Sequence, residues 1–368
     1  MIHHFESFQG PILLFLMPLA GFVVGLVIYI LGNPGEIGLL IDNIHSQAGR
    51  LDMRQNPSMI LASLFSIASG GSAGPEAPLV QVTGSVGTWL ADRFRLQGEN
   101  LRSFSIAGMA AGFTALFGAP LGGAMFALEI LHHQHVAKYY EAVLPAVVSS
   151  CASYVVFATI TKLGIAPVWH FPQYRVEKID DFAIAIACGA IGALAGWLFI
   201  YIFRSCEYGF HRLSVPIYVQ TTLAGLGLAI LAVFVPLTRY YGEHQLNEVI
   251  NSDLGVSALL GLALAKMLAI SITVAGGWRG GIIIPLFFTG VCLGKAIAIV
   301  IPGLDPILVM ICLMAAINAA VTRTPISTTL LLAKLTGFAP FTPILFASLI
   351  GFFLAPRTPF IASQLKLE

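Results

Sequence analysis

Five long apolar runs dominate this chain, near residues 11–32, 139–161, 182–203, 218–237 and 256–275. Each comes close to the roughly 20 residues a helix needs to cross the hydrocarbon core of a bilayer. Only 10% of the 368 residues are charged and 57% are hydrophobic, whereas a soluble chain carries about 25% charged residues. So few charges cannot cover a water-facing surface. An ordinary soluble enzyme, a disordered protein and a nucleic-acid binder are thereby excluded, and an all-α, polytopic membrane protein remains. No basic tract of the kind that holds nucleic acid or acidic lipid is present.

Other apolar runs are shorter and cut by glycine or proline, near 57–69, 78–91, 104–117, 120–131, 282–301, 307–321, 324–335 and 340–355. The stretches between them stay apolar, so the 37 glycines and 20 prolines read as close helix packing and broken helices, not as loops. Polar connections are expected near 33–56, 92–102, 132–138, 162–181, 204–217 and 238–255. The stretch 162–181 is the best midpoint linker and divides one membrane domain into halves of about 11–165 and 180–363. The five cysteines are scattered without a C-x-x-C and read as small buried apolar residues, not disulfides or metal ligands. Met1 to Gly10 does not read as a secretory signal peptide.

An internal repeat supports the two halves. Gly74, Pro78 and Gly87 recur at the same spacing as Gly281, Pro285 and Gly294, an offset of 207 residues. Met109-Ala110-Ala111 precedes Pro120 as Met314-Ala315-Ala316 precedes Pro325, an offset of 205. Two matches at nearly one offset point to duplication. The spacing itself is compatible with parallel or inverted halves, and inverted repeats commonly place a transport site at midmembrane.

Four motifs carry chemistry. In Gly71–Gly87, Gly74-Pro75-Glu76-Ala77-Pro78 stands directly before an apolar helix. Proline suits a first helical turn, where its missing N–H costs nothing. A helix that begins inside the membrane turns unpaired N–H groups and a partial positive charge on whatever lies at its entrance, which makes an anion site without a cation. Glu76 stands at that entrance. Ionised, its carboxylate can occupy the anion's own position; protonated, it can leave. One residue would then be both gate and proton carrier, and ionisable residues within spans are functional candidates by default. In Gly112–Ile130, Ala119-Pro120 breaks one helix and starts another, and Glu129 reads as an interfacial carboxylate or a bonded helix-end residue. In Gly276–Gly294, Gly280 and Gly281 precede Ile282-Ile283-Ile284-Pro285, and the N–H groups of Ile282 and Ile283 are expected to face an anion without adding a full charge. In Ala315–Leu335, Arg323-Thr324-Pro325 again begins a helix, and Lys334 reads as snorkelling to an interface.

In this order the motifs resemble the CLC family of chloride channels and chloride/proton antiporters, over about residues 11–363. GPEAP followed by LVQVTGSVG is similar to the family's GREGP and its continuation, GFTALFGAPLGGAMFALE to its G-x-x-A-x-F-x-A-P segment, GGIIIP to GxFxP, and the RTP stretch to R-x-P. The resemblance is to the prokaryotic type without cystathionine-synthase-type regulatory domains. It implies an inverted repeat of tilted and broken transmembrane helices, and a homodimer in membrane lipid with a separate pore in each subunit. Both termini would be cytoplasmic, in a cell membrane such as a prokaryotic inner membrane. It also implies that chloride or a similar small anion is carried, with protons as a possible second ion and no cofactor. By carry-over Glu76 is the gating glutamate, and the anion-binding positions are Gly35, Glu36, Ile282, Ile283 and Phe360, framed by motif residues Gly74, Pro75, Ala77, Pro78, Gly280, Gly281 and Pro285.

The chain departs from the family at instructive places. Gly35 stands at the central serine and has no hydroxyl, and Glu36 stands beside it. The central tyrosine falls at Phe360, or at Ile361 if the prolines are aligned; either choice loses the phenol. The inner proton-transfer glutamate aligns with Ile130, which cannot relay a proton, while Glu129 matches the acid before it. Ile130 leans towards a channel or weak coupling, Gly35 leaves the chloride preference open, and Glu76 leaves channel and antiporter both open. A divergent branch exporting fluoride is an alternative, although Pro78 keeps the chloride-type pattern. A scaffold without transport is disfavoured by the retained Glu76 and glycine-rich entrances. His132, His133 and His135 cluster after Glu129, but without an H-E-x-x-H pattern they read as a solvated loop, not the metal site of an enzyme.

Overall fold

The structure, a computed structural model, describes residues 10–34, 49–131, 139–161, 168–169, 171–172, 174, 178–337, 340–361 and 364. Among these, fourteen α-helices follow one another: α1 (Leu13–Leu31), α2 (Asn56–Ala68), α3 (Glu76–Arg93), α4 (Glu99–Phe117), α5 (Pro120–Glu129), α6 (Tyr139–Thr161), α7 (Ile179–Arg212), α8 (Ile217–Phe234), α9 (Glu243–Asn251), α10 (Val256–Ala275), α11 (Ile283–Val300), α12 (Pro306–Thr322), α13 (Pro325–Thr336) and α14 (Phe341–Phe353). Six helical stretches are long and apolar enough to cross a membrane: Gly10–Leu31, Glu141–Thr161, Ile179–Arg212, Ile217–Phe234, Val256–Ala275 and Ile283–Val300. Large apolar side chains stand exposed on them, among them Ile160 at 75% and Phe234 at 80%. Such a surface is stable against lipid and not against water. The protein is an integral, multi-pass membrane protein.

Broken helices are where the sequence places them. α5 has 10 residues and α13 has 12. At 1.5 Å per residue each covers roughly half of a bilayer core about 30 Å thick. Both start with proline, Pro120 and Pro325, in the position where no N–H is missed. Some stretches differ from expectation: the polar connection near 204–217 is helical as far as Arg212, the end of α7, and two others stand out. The 282–301 run, grouped by sequence with the short ones, forms the 18-residue α11 and is long enough to cross. The polar connection near 238–255 contains α9, whose Leu246 and Val249 are buried three residues apart on one face. The cysteines are free; Cys188, Cys292 and Cys312 are buried, Cys206 is half-buried, and Cys151 is exposed on the apolar surface of α6.

The chain divides into two compact units, Met1–Pro34 with Gln55–Pro78 and Leu198–Pro306, and Gly35–Arg54 with Leu79–Trp197 and Ile307–Glu368. In the first unit α1 packs along α8. A methyl group on Gly21 or Gly25 of α1 would overlap the backbone of Thr221 or Tyr218 in α8, and one on Gly225 of α8 would overlap Met17 of α1. Small residues four apart let two backbones touch where there is no hydrophobic drive between helices in lipid. In the second unit α4 packs on α5 and α6, and α13 on α5 and α14. There Gly189 and Gly192 of α7 leave no space for a side chain against Ile350 and Ala316.

Buried main-chain breaks need partners. Arg323, 1% exposed and with φ of 60°, joins α12 to α13, and its guanidinium donates to the carbonyls of Pro356 and Arg357, both at 2.8 Å. Gln364 donates to the carbonyls of Ile130 and Thr322 at the ends of α5 and α12, at 3.0 and 2.9 Å. Glu129, the last residue of α5, caps α13. It accepts from the N–H of Ile326 at 3.1 Å, and from the N–H and hydroxyl of Ser327 at 2.7 and 2.6 Å. The helix-end role expected of Glu129 is the one observed. Glu129→Ala removes all three bonds and is expected to cost about 1–3 kcal/mol of stability, by analogy with lost caps and orphaned donors. Thermal unfolding in detergent checks this; an unchanged midpoint would show that the cap is not needed.

Candidate anion seat at the start of α11

The first unit brings the two glycine motifs together. Gly74 and Gly281 form an isolated antiparallel bridge. The N–H of Gly74 donates to the carbonyl of Gly281 at 2.8 Å, and the reverse bond is 2.6 Å. These are the residues that correspond across the sequence repeat. An antiparallel pairing of equivalent residues is what a two-fold relation between the motifs produces.

The turn before α11 is held rigidly. Gly277 has φ of 93°, a conformation that favours glycine. Next to it the wholly buried Trp278 donates its indole N–H to the Thr221 carbonyl of α8 at 2.9 Å. The N–H of Arg279 donates to the Ser66 hydroxyl at 3.1 Å, and its guanidinium donates to the side-chain oxygen of Asn33 at 2.8 Å. From the facing segment, the N–H of Ser72 donates to the Thr273 hydroxyl at 3.1 Å. The approach to α11 is therefore fixed from both sides before the helix begins.

Glu76 is the first residue of α3 and is 1% exposed. Its carboxylate reaches the start of α11, where Oε1 accepts from the N–H of Ile284 at 3.0 Å. Ile282 caps that helix and Ile283 is its first residue, so the donor is at the second position. Capping acceptors engage the second or third N–H of a helix, and the expectation based on Ile282 and Ile283 passed over this neighbour. A methyl group on Gly74 or on Gly281 would overlap the Glu76 carboxylate. The two glycines thus form a cradle that fits the carboxylate and no more. Its other oxygen, Oε2, is buried and has no hydrogen-bond partner among the described residues. A carboxylate on a helix N-terminus is the arrangement in which a free anion would be held.

Of the remaining sequence candidates, Pro75, Ala77 and Pro78 lie in the same motif, with Ala77 buried, and Pro285 is buried in the first turn of α11. Gly280 packs so closely on Ala73 and the Gly74 carbonyl that it admits no side chain. Phe360 lies half-buried in the second unit, in the segment after α14. Gly35, Glu36 and the histidines 132, 133 and 135 lie outside the described residues. Three buried cations, Arg239, Lys266 and Arg279, were not singled out from sequence. Arg279 was hidden in a glycine motif. Lys266 is the one charged residue of the 256–275 run, and that was the signal available.

A family profile described as voltage gated chloride channel matches residues 20–356. The chain belongs to the CLC family. Among its CLC relatives, a chloride/fluoride channel protein of Pseudomonas syringae pv. tomato is 29% identical over 301 residues, 78% of this chain and 64% of that protein. The H(+)/Cl(-) exchange transporter ClcA of Vibrio cholerae is 29% identical over 293 residues, 76% of this chain and 62% of that protein. The chain thus spans less than two thirds of the length of either relative. Among solved CLC structures, a CLC-type fluoride/proton antiporter superposes with a TM-score of 0.87 at 21% identity, covering 99% of this chain and 92% of that one. A slow cyanobacterial Cl-/H+ antiporter gives 0.81 at 22%, covering 95% and 85%. At these identities the structural likeness speaks for the fold: the broken helices and inverted repeat expected from sequence are those of CLC transporters.

Proposed function

We propose that this protein moves a small monovalent anion, chloride by preference, across a cell membrane, with the start of α11 as the anion's seat and Glu76 as its gate. The supporting observation is the 3.0 Å bond from the Ile284 N–H to the Glu76 carboxylate inside the glycine cradle. Backbone donors attract an anion without trapping it, because they carry no full charge. Ionised Glu76 competes with the anion for the same N–H groups. Protonated Glu76 has lost the charge that binds it there, so acid opens the seat. The proton taken up by the gate would also couple anion and proton movement; the Vibrio relative is named an H(+)/Cl(-) exchange transporter. By the family resemblance, Ile282, Ile283, Gly35, Glu36 and Phe360 are proposed as anion-binding positions. The working unit is proposed to be a homodimer.

Proteoliposomes under a chloride gradient, with chloride efflux and internal pH recorded together, test the reading. Chloride efflux is the expected result, and uphill proton movement with it would make the protein an antiporter. Its absence would make it a channel or uncoupled carrier. No anion efflux from correctly folded protein would overturn the proposal. Fluoride is the second reading, favoured by the name of the Pseudomonas relative. The same vesicles loaded with fluoride decide it: efflux much faster than that of chloride would replace chloride as the substrate.

A further inference from the structure

Lys266 sits in the middle of α10 and is wholly buried. Its ammonium donates to the carbonyls of Thr238 at 3.1 Å and Tyr240 at 2.7 Å, and lies 5.1 Å from the centre of the Phe288 ring. The two carbonyls and the ring give it partners but no countercharge. Among the described residues no carboxylate forms an ion pair with it. Its other electrostatic neighbour is the buried thiol of Cys292. A single charge left uncancelled in an apolar interior is costly, and inside a membrane span it marks an ion route more often than a packing solution.

Its position relates it to the seat. Ile284, Phe288 and Cys292 are four residues apart along α11 and therefore share one face. The ammonium stands beside that face about one turn, or roughly 5 Å of helix, beyond the N–H that holds Glu76. A methyl group on Gly242 would lie 3.3 Å from Phe288 and 3.5 Å from the Lys266 Nζ. The next residue, Glu243, is the first of α9. Lys266, Phe288, the start of α9 and Glu76 are thus one neighbourhood of the first unit.

We propose that Lys266 is an anion-recruiting charge: it raises the occupancy of a small monovalent anion at the α11 seat by its positive field. The inference rests on the function proposed above. A charge acts at a distance, so Lys266 does not need to touch the anion. In a medium less polarisable than water, one unit charge about 10 Å away changes an anion's affinity by roughly tenfold. The bonds to Thr238 and Tyr240 fix where the charge sits.

The test is chloride flux from proteoliposomes at acidic pH, where Glu76 is neutral and no longer competes for the seat, read as the half-saturating chloride concentration for the wild type, Lys266→Met, Lys266→Arg and Cys292→Asp. Lys266→Met is expected to raise half-saturation about five- to tenfold, and Lys266→Arg, which keeps the charge, to stay within about twofold of wild type. Cys292→Asp leaves the lysine in place and sets a negative charge beside it, so it should weaken chloride as Lys266→Met does. It carries the test if Lys266→Met does not fold. A wild type without anion flux overturns the proposed function and this inference with it. A wild type with normal flux, beside a folded Lys266→Met or Cys292→Asp of unchanged half-saturation, overturns this inference alone. A lowered unfolding temperature at unchanged half-saturation would identify the lysine as a clamp on the Thr238–Tyr240 turn and nothing more.

Discussion

Glu76→Gln is expected to conduct anions at least as fast as the wild type while losing all dependence on pH and any coupling to protons. The amide has the volume of the carboxylate and fits the same cradle between Gly74 and Gly281. Its oxygen can still accept from the Ile284 N–H, which now meets the carboxylate at 3.0 Å. It lacks the negative charge that the helix N-terminus favours, so it competes poorly with a free anion. The amide does not titrate in the range where proteins are studied. Wild-type flux should therefore rise as pH falls and the carboxylate is neutralised, whereas the variant should give the acid-limit flux at every pH. Chloride efflux with simultaneous pH recording, repeated from acidic to neutral pH, measures both effects. A folded variant with no flux, or one that keeps the wild-type pH profile, would remove Glu76 from the gate.

Glu76 was readable as a candidate from the chain alone, because a carboxylate next to two prolines at the head of an apolar run has few structural uses. Its partner was not readable. Ile284 is 208 residues away, and nothing local to either motif says that they meet. The equal spacing of Gly74 and Gly281 was visible, but the bridge between them required the fold. The membrane helices were legible for a physical reason: lipid offers no partner to backbone groups, so helices are nearly forced and their ends are written in proline and glycine. α9 was missed because its length and polarity are those of a loop, although Leu246 and Val249 mark a buried face. Lys266 was passed over because nineteen neighbours in its 20-residue helix are uncharged and the stretch reads as a plain span. The same fact makes the lysine conspicuous once burial is known.

The glycine cradle yields the second strong expectation. Gly281→Ala should open the gate with Glu76 still present. A methyl group at this position would overlap the carboxylate and also come within 2.8 Å of the Glu76 Cβ. The carboxylate can rotate aside, but the Glu76 Cβ is set by the backbone, so the Gly74–Gly281 bridge must also shift by a few tenths of an ångström, and some stability is lost with the gate. The carboxylate then leaves the Ile284 N–H, and the seat is free for an anion at any pH. The expected phenotype is that of Glu76→Gln: flux raised and its pH profile flattened. Gly280→Ala is the matching control. Its methyl group would fall 2.6 Å from the Ala73 Cβ and 3.0 Å from the Gly74 carbonyl, where no flexible group can move aside. That variant should lose stability, by about 1–3 kcal/mol as overpacked sites do. The pair separates gating from folding: efflux and its pH profile report the first, thermal unfolding in detergent the second. Should Gly281→Ala keep wild-type flux and pH dependence with its fold intact, the carboxylate does not need the cradle to reach its seat.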